Sequence, residues 1–301
     1  MSPRAAGARS ELVEHRVEER WLRAYAAAVG DLSPPLFDPD APAGIVAHPV
    51  FPACLEWPLV RAGPPGYDLT PEAAHAGLHV SHEIAWHRPI RPGGELRTTV
   101  ALKSVRERSI GTFVEFAFAT TTADDEPVVE TRQGILYRGT ELTEPEGQGY
   151  RGEAPVDEES RGKARADAAD RPPEAPLEPV AGFQVEEADA ILYTECARIW
   201  NPIHTDPRAA RAAGLPTTIY HGTATLARIV SALVAHRLGG DPTRVRRLGC
   251  RFTAPVAPGD LVTITASDSG GAAAETLVFG AEGADGTTLV DRGFLELARA
   301  R

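Results

Sequence analysis

Residues Asn201-Pro202-Ile203-His204-Thr205-Asp206-Pro207 set a titratable imidazole in a connection stiffened by two prolines. Proline fixes its own φ and restricts the residue before it, so His204 is held rather than swung. An imidazole with the ordinary pKa of about 6.5 suits proton transfer near neutrality. Asn201 and Asp206 are types that bond their own backbone. Asp206 followed by Pro207 reads as the N-cap and first position of a helix over residues 207–213. Further on, His221-Gly222-Thr223 opens an apolar run. The start of a helix there presents unpaired N–H groups and the positive end of its dipole. Gly222 has no side chain to keep a ligand oxygen away. Such a start can hold the charge that develops on a carbonyl oxygen. Either motif alone has a plain reading, a packed loop histidine or a glycine cap. Together they make His204 and Asn201 candidate catalytic residues, and His221, Gly222 and Thr223 candidate binding residues.

Other chemistries fit less well. His204, Asp206 and His221 have no standard ligand spacing, so no metal is expected. Cys196 with His204 suggests a thiol nucleophile, but a cysteine more often fills an apolar gap. The G-x-S-x-G elbow of many serine hydrolases is absent. Arg244, Arg246, Arg247 and Arg251 crowd one stretch; they read first as a solvated strand edge, and second as partners for phosphate groups.

The elements that position these residues occur twice. YAAAVGDLSPPLFDP from Tyr25 pairs with YTECARIWNPIHTDP from Tyr193 at a constant offset (193 − 25 = 168). This aligns Pro34 with Pro202, Asp38 with Asp206, and Leu36 with His204. After a five-residue skip, His48 falls on His221. HRPIRPGGEL from His87 then matches TAPVAPGDL from Thr253 (253 − 87 = 166). Each copy continues into apolar–polar alternation, with Gly-Asp and Asp-Gly turns in the second, the signature of half-buried antiparallel strands. In the second copy Thr223, Leu226, Ile229, Val230 and Leu233 recur at helical spacing up to Gly239-Gly240. A helix apolar over that much of its girth needs burial on more than one side. Each copy is therefore an α+β unit, over residues 1–140 and 180–301. The stretch between, 141–179, is rich in Glu, Asp, Pro, Ala and Gly and reads as a flexible connector. Two such units in one chain imitate a two-fold dimer.

The formal net charge of -11 sets an unfavourable field for a polyanion, and no nucleic-acid partner is expected. Three scattered cysteines form no disulfide framework. The charged N-terminus is unlike a signal peptide, and no apolar run approaches membrane-spanning length. The expectation is a cytoplasmic protein.

The NPIHTDP loop, the short helix ending AAGLP, HGTATLA, and RFTAPVAPGDLVTI (Arg251–Ile264) resemble the MaoC-like dehydratase family, which includes the (R)-specific enoyl-CoA hydratases. The resemblance implies a double hotdog fold, each sheet wrapped around a long helix. It implies reversible addition of water to a 2-enoyl thioester of CoA or an acyl carrier, with no cofactor and with possible homo- or hetero-oligomers of hotdog subunits. It also implies an Asp–His acid/base pair within G-D-x-N-P-[LIV]-H. His204 and Asn201 match that pattern, but Ile199 stands at the Asp position and Arg198 at the Gly. Loss of a general acid or base costs roughly 10²–10⁴ in rate. Three explanations follow: Glu195 reaches in from one turn back, Asp31 of the first copy's Gly30-Asp31 is shared, or the chain binds acyl thioesters without turnover as a partner subunit. A hotdog thioesterase is a further alternative.

Overall fold

The computed structural model describes residues 7–41, 44–64, 67, 77–139, 176–269 and 275–298. The first half runs β1 (Val13–Arg16), α1 (Glu19–Ala28), α2 (Pro34–Phe37), α3 (Pro52–Ala62), β2 (Gly77–Trp86), β3 (Glu95–Arg108), β4 (Gly111–Thr122) and β5 (Pro127–Arg138). The second runs β6 (Glu178–Gln184), α4 (Asp189–Ala197), a 3₁₀ turn (Pro202–His204), α5 (Pro207–Ala212), α6 (Gly222–Arg237), a second 3₁₀ turn (Pro242–Arg244), β7 (Val245–Phe252), β8 (Leu261–Ser269), β9 (Thr276–Gly283) and β10 (Thr288–Leu297). The connector at 141–179 lies outside the described residues as far as residue 175. Glu178 and Pro179, counted with it from composition, already belong to β6.

Sequence alternation becomes burial alternation. Along β4, Thr112, Val114, Phe116 and Phe118 point inward while their neighbours are half-buried or exposed, as a pleated strand requires. The strands form one antiparallel sheet in the order β1-β3-β4-β5-β2-β7-β10-β9-β8-β6. From the central β2–β7 pair outward, the two halves contribute the same succession of elements. Glu83 and Gly249 face each other in that pair, and their offset is the repeat offset (249 − 83 = 166). A residue opposite its own counterpart marks a two-fold relation, as in a symmetric dimer. Loop bonds repeat the symmetry: Gly93 N–H donates to the Val17 carbonyl at 2.8 Å, and Gly259 N–H to the Val185 carbonyl at 2.7 Å. The sheet's outermost strands are short, and one carries Pro179, which removes a donor from an edge.

The central helices differ. α6 buries Thr223 to Ala227, Ile229, Val230, Leu233 and Val234, the all-round burial its composition called for. It ends at Arg237, just before Gly239 and Gly240, both at positive φ. α3 is five residues shorter (16 − 11 = 5) and carries Pro58 inside it, which removes one intrahelical hydrogen bond. The main core is shared, with Tyr25, Phe51 and Ile84 of the first half in one cluster with Tyr193, Leu226 and Leu248 of the second. Among the described residues no helix is long and apolar enough to cross a membrane.

Candidate active site

His204 closes the first 3₁₀ turn. The Asn201 carboxamide oxygen caps that turn by accepting from Ile203 N–H at 3.4 Å. Asp206 caps α5, accepting from Arg208 N–H at 2.8 Å, with Pro207 at the first helical position. Both polar residues thus hold the loop. His204 Nδ1 lies 2.8 Å from the Ile219 carbonyl. A carbonyl only accepts, so Nδ1 carries the proton and Nε2 keeps its lone pair. Nε2 has no hydrogen-bond partner among the described residues. Burial strips the imidazolium of its hydration and pushes the pKa down to about 4, against the favourable pull of the Ile219 carbonyl. His204 is therefore a neutral base at physiological pH.

His221 is stacked on it, with ring centroids 3.6 Å apart and planes 23° from parallel. His221 Nε2 approaches the Ile199 carbonyl at 3.4 Å and the Thr194 hydroxyl at 3.3 Å, and Nδ1 is buried without a partner. Burial, and then the neighbouring His204, hold its pKa well below the usual imidazole value. The backbone of His221 is the N-cap of α6. Thr225 N–H bonds the His221 carbonyl, whereas the N–H groups of Gly222, Thr223 and Ala224 find no backbone acceptor among the described residues, the ordinary state of a helix start. Tyr193 OH donates to the Thr223 hydroxyl at 3.0 Å and fixes that side chain. A Cβ on Gly222 would lie 3.3 Å from the Phe252 ring. Glycine therefore lets the helix start and this aromatic wall meet without crowding.

Neither candidate source of a partner carboxylate reaches His204. Glu195 is exposed, and its carboxylate faces Trp200 Nε1 at 3.5 Å. The reason is helical: Ala190, Tyr193, Thr194 and Ala197 form the buried stripe of α4 and leave Glu195 on the opposite face. Asp31 belongs to a different cluster. Its carboxylate accepts from Ser33 N–H at 3.0 Å. Burial raises its pKa, but His48 and the neighbouring serines outweigh that and hold it below the usual carboxylate value. His48 Nδ1 accepts from Val50 N–H at 3.0 Å, so Nε2 carries the proton and donates to Ser231 Oγ, also at 3.0 Å. Asp31 is thus wired to His48 and, through Ser231 on α6, to the second half, not to His204. The side chain at the Asp position, Ile199, is buried in the core. Beside it Arg198 sits at φ 60°, the left-handed conformation that Gly30 adopts in the first copy at φ 74° (198 − 30 = 168). The guanidinium stacks 4.1 Å over Trp21.

Sequence reasoning missed a second histidine pair. His79 Nε2 and His82 Nδ1 on β2 are 3.2 Å apart, and the His79 ring packs on Phe252 with centroids 5.2 Å apart. First-half histidines thus stand one aromatic ring away from Gly222. The available signal was asymmetry, since the second copy has Val245 and Leu248 at these positions (79 + 166 = 245, 82 + 166 = 248). Cys196 is partly exposed with its thiol pKa raised by burial, and nothing activates it. Among the described residues no cluster of three or more His, Cys, Asp or Glu is placed to hold a metal.

Residues 168–287 match the family model described as a MaoC like domain, and residues 4–131 the FAS1-like dehydratase domain region. The chain is 29% identical over 225 residues to 3-hydroxyacyl-thioester dehydratase Y of Mycobacterium tuberculosis, covering 73% of this chain and 72% of that one. Alignments to two proteins named enoyl-CoA hydratases span 59% and 60% of those proteins. A MaoC-like dehydratase from Phytophthora capsici superimposes with a TM-score of 0.76 at 22% identity, over 99% of this chain and 98% of that one. A Mycobacterium tuberculosis protein described as a double hotdog superimposes at 0.61 with 16% identity, over 97% and 95%. The fold is a double hotdog, and residues 168–287 carry a MaoC like domain.

Proposed function

We infer that this chain adds water across the 2,3-double bond of an enoyl thioester, and removes it from the 3-hydroxyacyl thioester in reverse. The observation that carries this reading is the His204 ring, tied through Nδ1–H to the Ile219 carbonyl with Nε2 free, beside the open N-terminus of α6. Burial and the Ile219 carbonyl are what shift this ring, and no carboxylate among the described residues is hydrogen-bonded to it. One imidazole therefore serves both proton transfers. Nε2 takes a proton from water as the water oxygen bonds to C3. The double-bond electrons move to give an enolate, whose oxygen receives the N–H groups of Gly222 and Thr223. The imidazolium, made acidic by burial, returns that proton to C2, and water has been added with no proton left over. These transfers draw on side chain and backbone alone, so we assign no cofactor beyond the thioester's own CoA or carrier arm. The names of the relatives support the same reaction class.

Hydration of trans-2-enoyl-CoA by the purified chain tests this. His204→Ala is expected to lower kcat/KM by roughly 10²–10⁴; unchanged activity overturns the assignment. Ile199 favours a second reading, a thioester-binding subunit that depends on a catalytic partner. Turnover by the chain alone, lost on His204→Ala, excludes it.

A further inference from the structure

The histidines at the two helix starts are equivalent (221 − 48 = 173), but they hold their rings differently. His48 turns Nδ1 onto its own backbone and accepts from Val50 N–H at 3.0 Å, while Nε2–H donates to Ser231 Oγ on α6 at 3.0 Å. Both of its ring nitrogens are engaged, and one N–H of the turn into α3 is closed. His221 turns away. Its Nε2 approaches the Ile199 carbonyl at 3.4 Å and the Thr194 hydroxyl at 3.3 Å, its Nδ1 is buried without a partner, and its side chain does not cap α6. Thr223 is the counterpart of Val50 (223 − 50 = 173), and its N–H has no acceptor among the described residues. A donor and an acceptor two residues apart thus forgo the bond that their counterparts make, although an unpaired buried acceptor is destabilising.

Two differences between the repeats account for this. The His204 ring lies 3.6 Å from that of His221 and 23° from parallel. Its counterpart is Leu36, which is buried with Ala26 and Val46 and offers His48 no ring to stack on. Ser231, which anchors His48, has Pro58 of α3 as its counterpart (231 − 58 = 173). A proline side chain neither donates nor accepts. His221 therefore has a partner in His204 and no anchor at that position of the opposite helix.

We propose that His221 is a positioning residue: stacked on His204, it keeps the Thr223 N–H open to the thioester oxygen, and without that stack it swings onto Thr223 as His48 does onto Val50. One chain holds both arrangements, open in the second half and closed in the first. The base and the carbonyl donors are thereby assembled together, because the ring that takes the proton also holds the donors clear. The role in catalysis rests on the hydration reading of the Gly222 site; the two ring positions do not.

Three variants of the full chain, assayed by hydration of trans-2-enoyl-CoA, read this role. His221→Phe keeps a ring face for His204 and has no acceptor to close on Thr223, so its kcat is expected to stay within about tenfold of the wild type. His221→Ala and His221→Asn both lose the stack, but an asparagine N-cap accepts from the second or third helical N–H, and Thr223 is the second. His221→Asn is therefore expected to melt at a higher temperature than His221→Ala, yet to have a kcat roughly 10²-fold lower, the usual effect of losing one oxyanion donor. A merely structural role would make activity follow stability. Equal kcat in the two, or a higher kcat in His221→Asn, overturns the proposal.

Nitrogen–nitrogen coupling across hydrogen bonds, measured by NMR, reads the ring positions without turnover. In the wild type it is expected between the Val50 amide and His48 Nδ1, and not between the Thr223 amide and His221 Nδ1. In His204→Leu, which copies the first half, it is expected to appear at Thr223 as well, with the Val50 coupling retained as the sign of an intact fold. Coupling at Thr223 in the wild type, or none there in His204→Leu, overturns the proposal. A wild type that hydrates no enoyl-CoA contradicts the proposed reaction instead, and the coupling then decides the ring positions by itself.

Discussion

Tyr25 and Tyr193, equivalent residues of the two repeats, meet edge to face in the core with ring centroids 5.7 Å apart. Each also touches the histidine of its own half, Tyr25 with His48 at 5.6 Å and Tyr193 with His221 at 4.8 Å. A row of four rings therefore crosses the pseudo-two-fold axis and joins the two helix-start regions. Both tyrosines are fully buried, so the halves meet in one shared main core.

Truncation on this axis tests that unity. Tyr25→Ala and Tyr193→Ala are each expected to lower stability by about 3–5 kcal/mol, the usual cost of removing a buried aromatic ring. Urea unfolding followed by fluorescence and by far-UV circular dichroism should still give one coincident transition. The double variant should fall short of additivity by about 0.5–1.5 kcal/mol, the worth of an aromatic pair.

Asp31 and His204 serve different clusters, so their variants should separate. Asp31→Asn is expected to cost about 1–3 kcal/mol of stability, because it disturbs a half-buried, hydrogen-bonded carboxylate at the contact with Ser231. Its kcat/KM for enoyl-thioester hydration should stay within about threefold of the wild type. A loss of hundreds-fold would place Asp31 in the reaction.

Neutral histidines, buried (His48, His82, His221) or half-buried (His15, His79, His204), make the fold sensitive to acid. His15, His48, His79 and His204 are pushed down to about 4, and His82 and His221 further, in each case by burial first. Between pH 6.5 and 4 the unfolded chain binds protons that the folded chain refuses, so stability rises with pH across that window and is lost as pH falls through it. Urea midpoints are expected to be similar at pH 8 and 7 and to decline steadily from about pH 6.5 downward. A flat profile to pH 4.5 would contradict the burial of these rings.

Much of the arrangement was legible because proline, glycine and histidine landmarks survive duplication. The constant offsets from Tyr25 to Pro39 and from His87 to Pro92 locate both copies, and Gly239-Gly240 marks the end of α6. β6 was hidden because Glu178 and Pro179 share the connector's composition, and its strand state depends on pairing with β8. β2 was hidden because it lies at the centre of the sheet and puts His82 on a buried position, which blurs the alternation. The His48–Ser231 contact spans 183 residues and exists only through the two-fold packing. The same packing decides that Glu195 faces solvent, which helical spacing alone left open.

Placing a carboxylate at position 199 should perturb His204. In Ile199→Asp an anion beside the imidazole favours its protonated form and should raise its pKa by about 1–3 units. The acid limb of kcat/KM should move up accordingly, with a loss of stability from placing a charge in the core. An unmoved acid limb would mean that position 199 does not sense His204.

The central claim is that one neutral imidazole, His204, performs both proton transfers. The pH dependence of kcat/KM for hydration tests it most directly, measured from pH 3.5 to 9 on protein that regains full activity when returned to pH 8. A single rise with a midpoint near 4, the value to which burial pushes His204, followed by a plateau to pH 9, is the predicted result. A bell-shaped profile would reveal a second acid/base group, and an acid midpoint near 6.5 would show that the reacting base is not the buried His204; either would contradict the account.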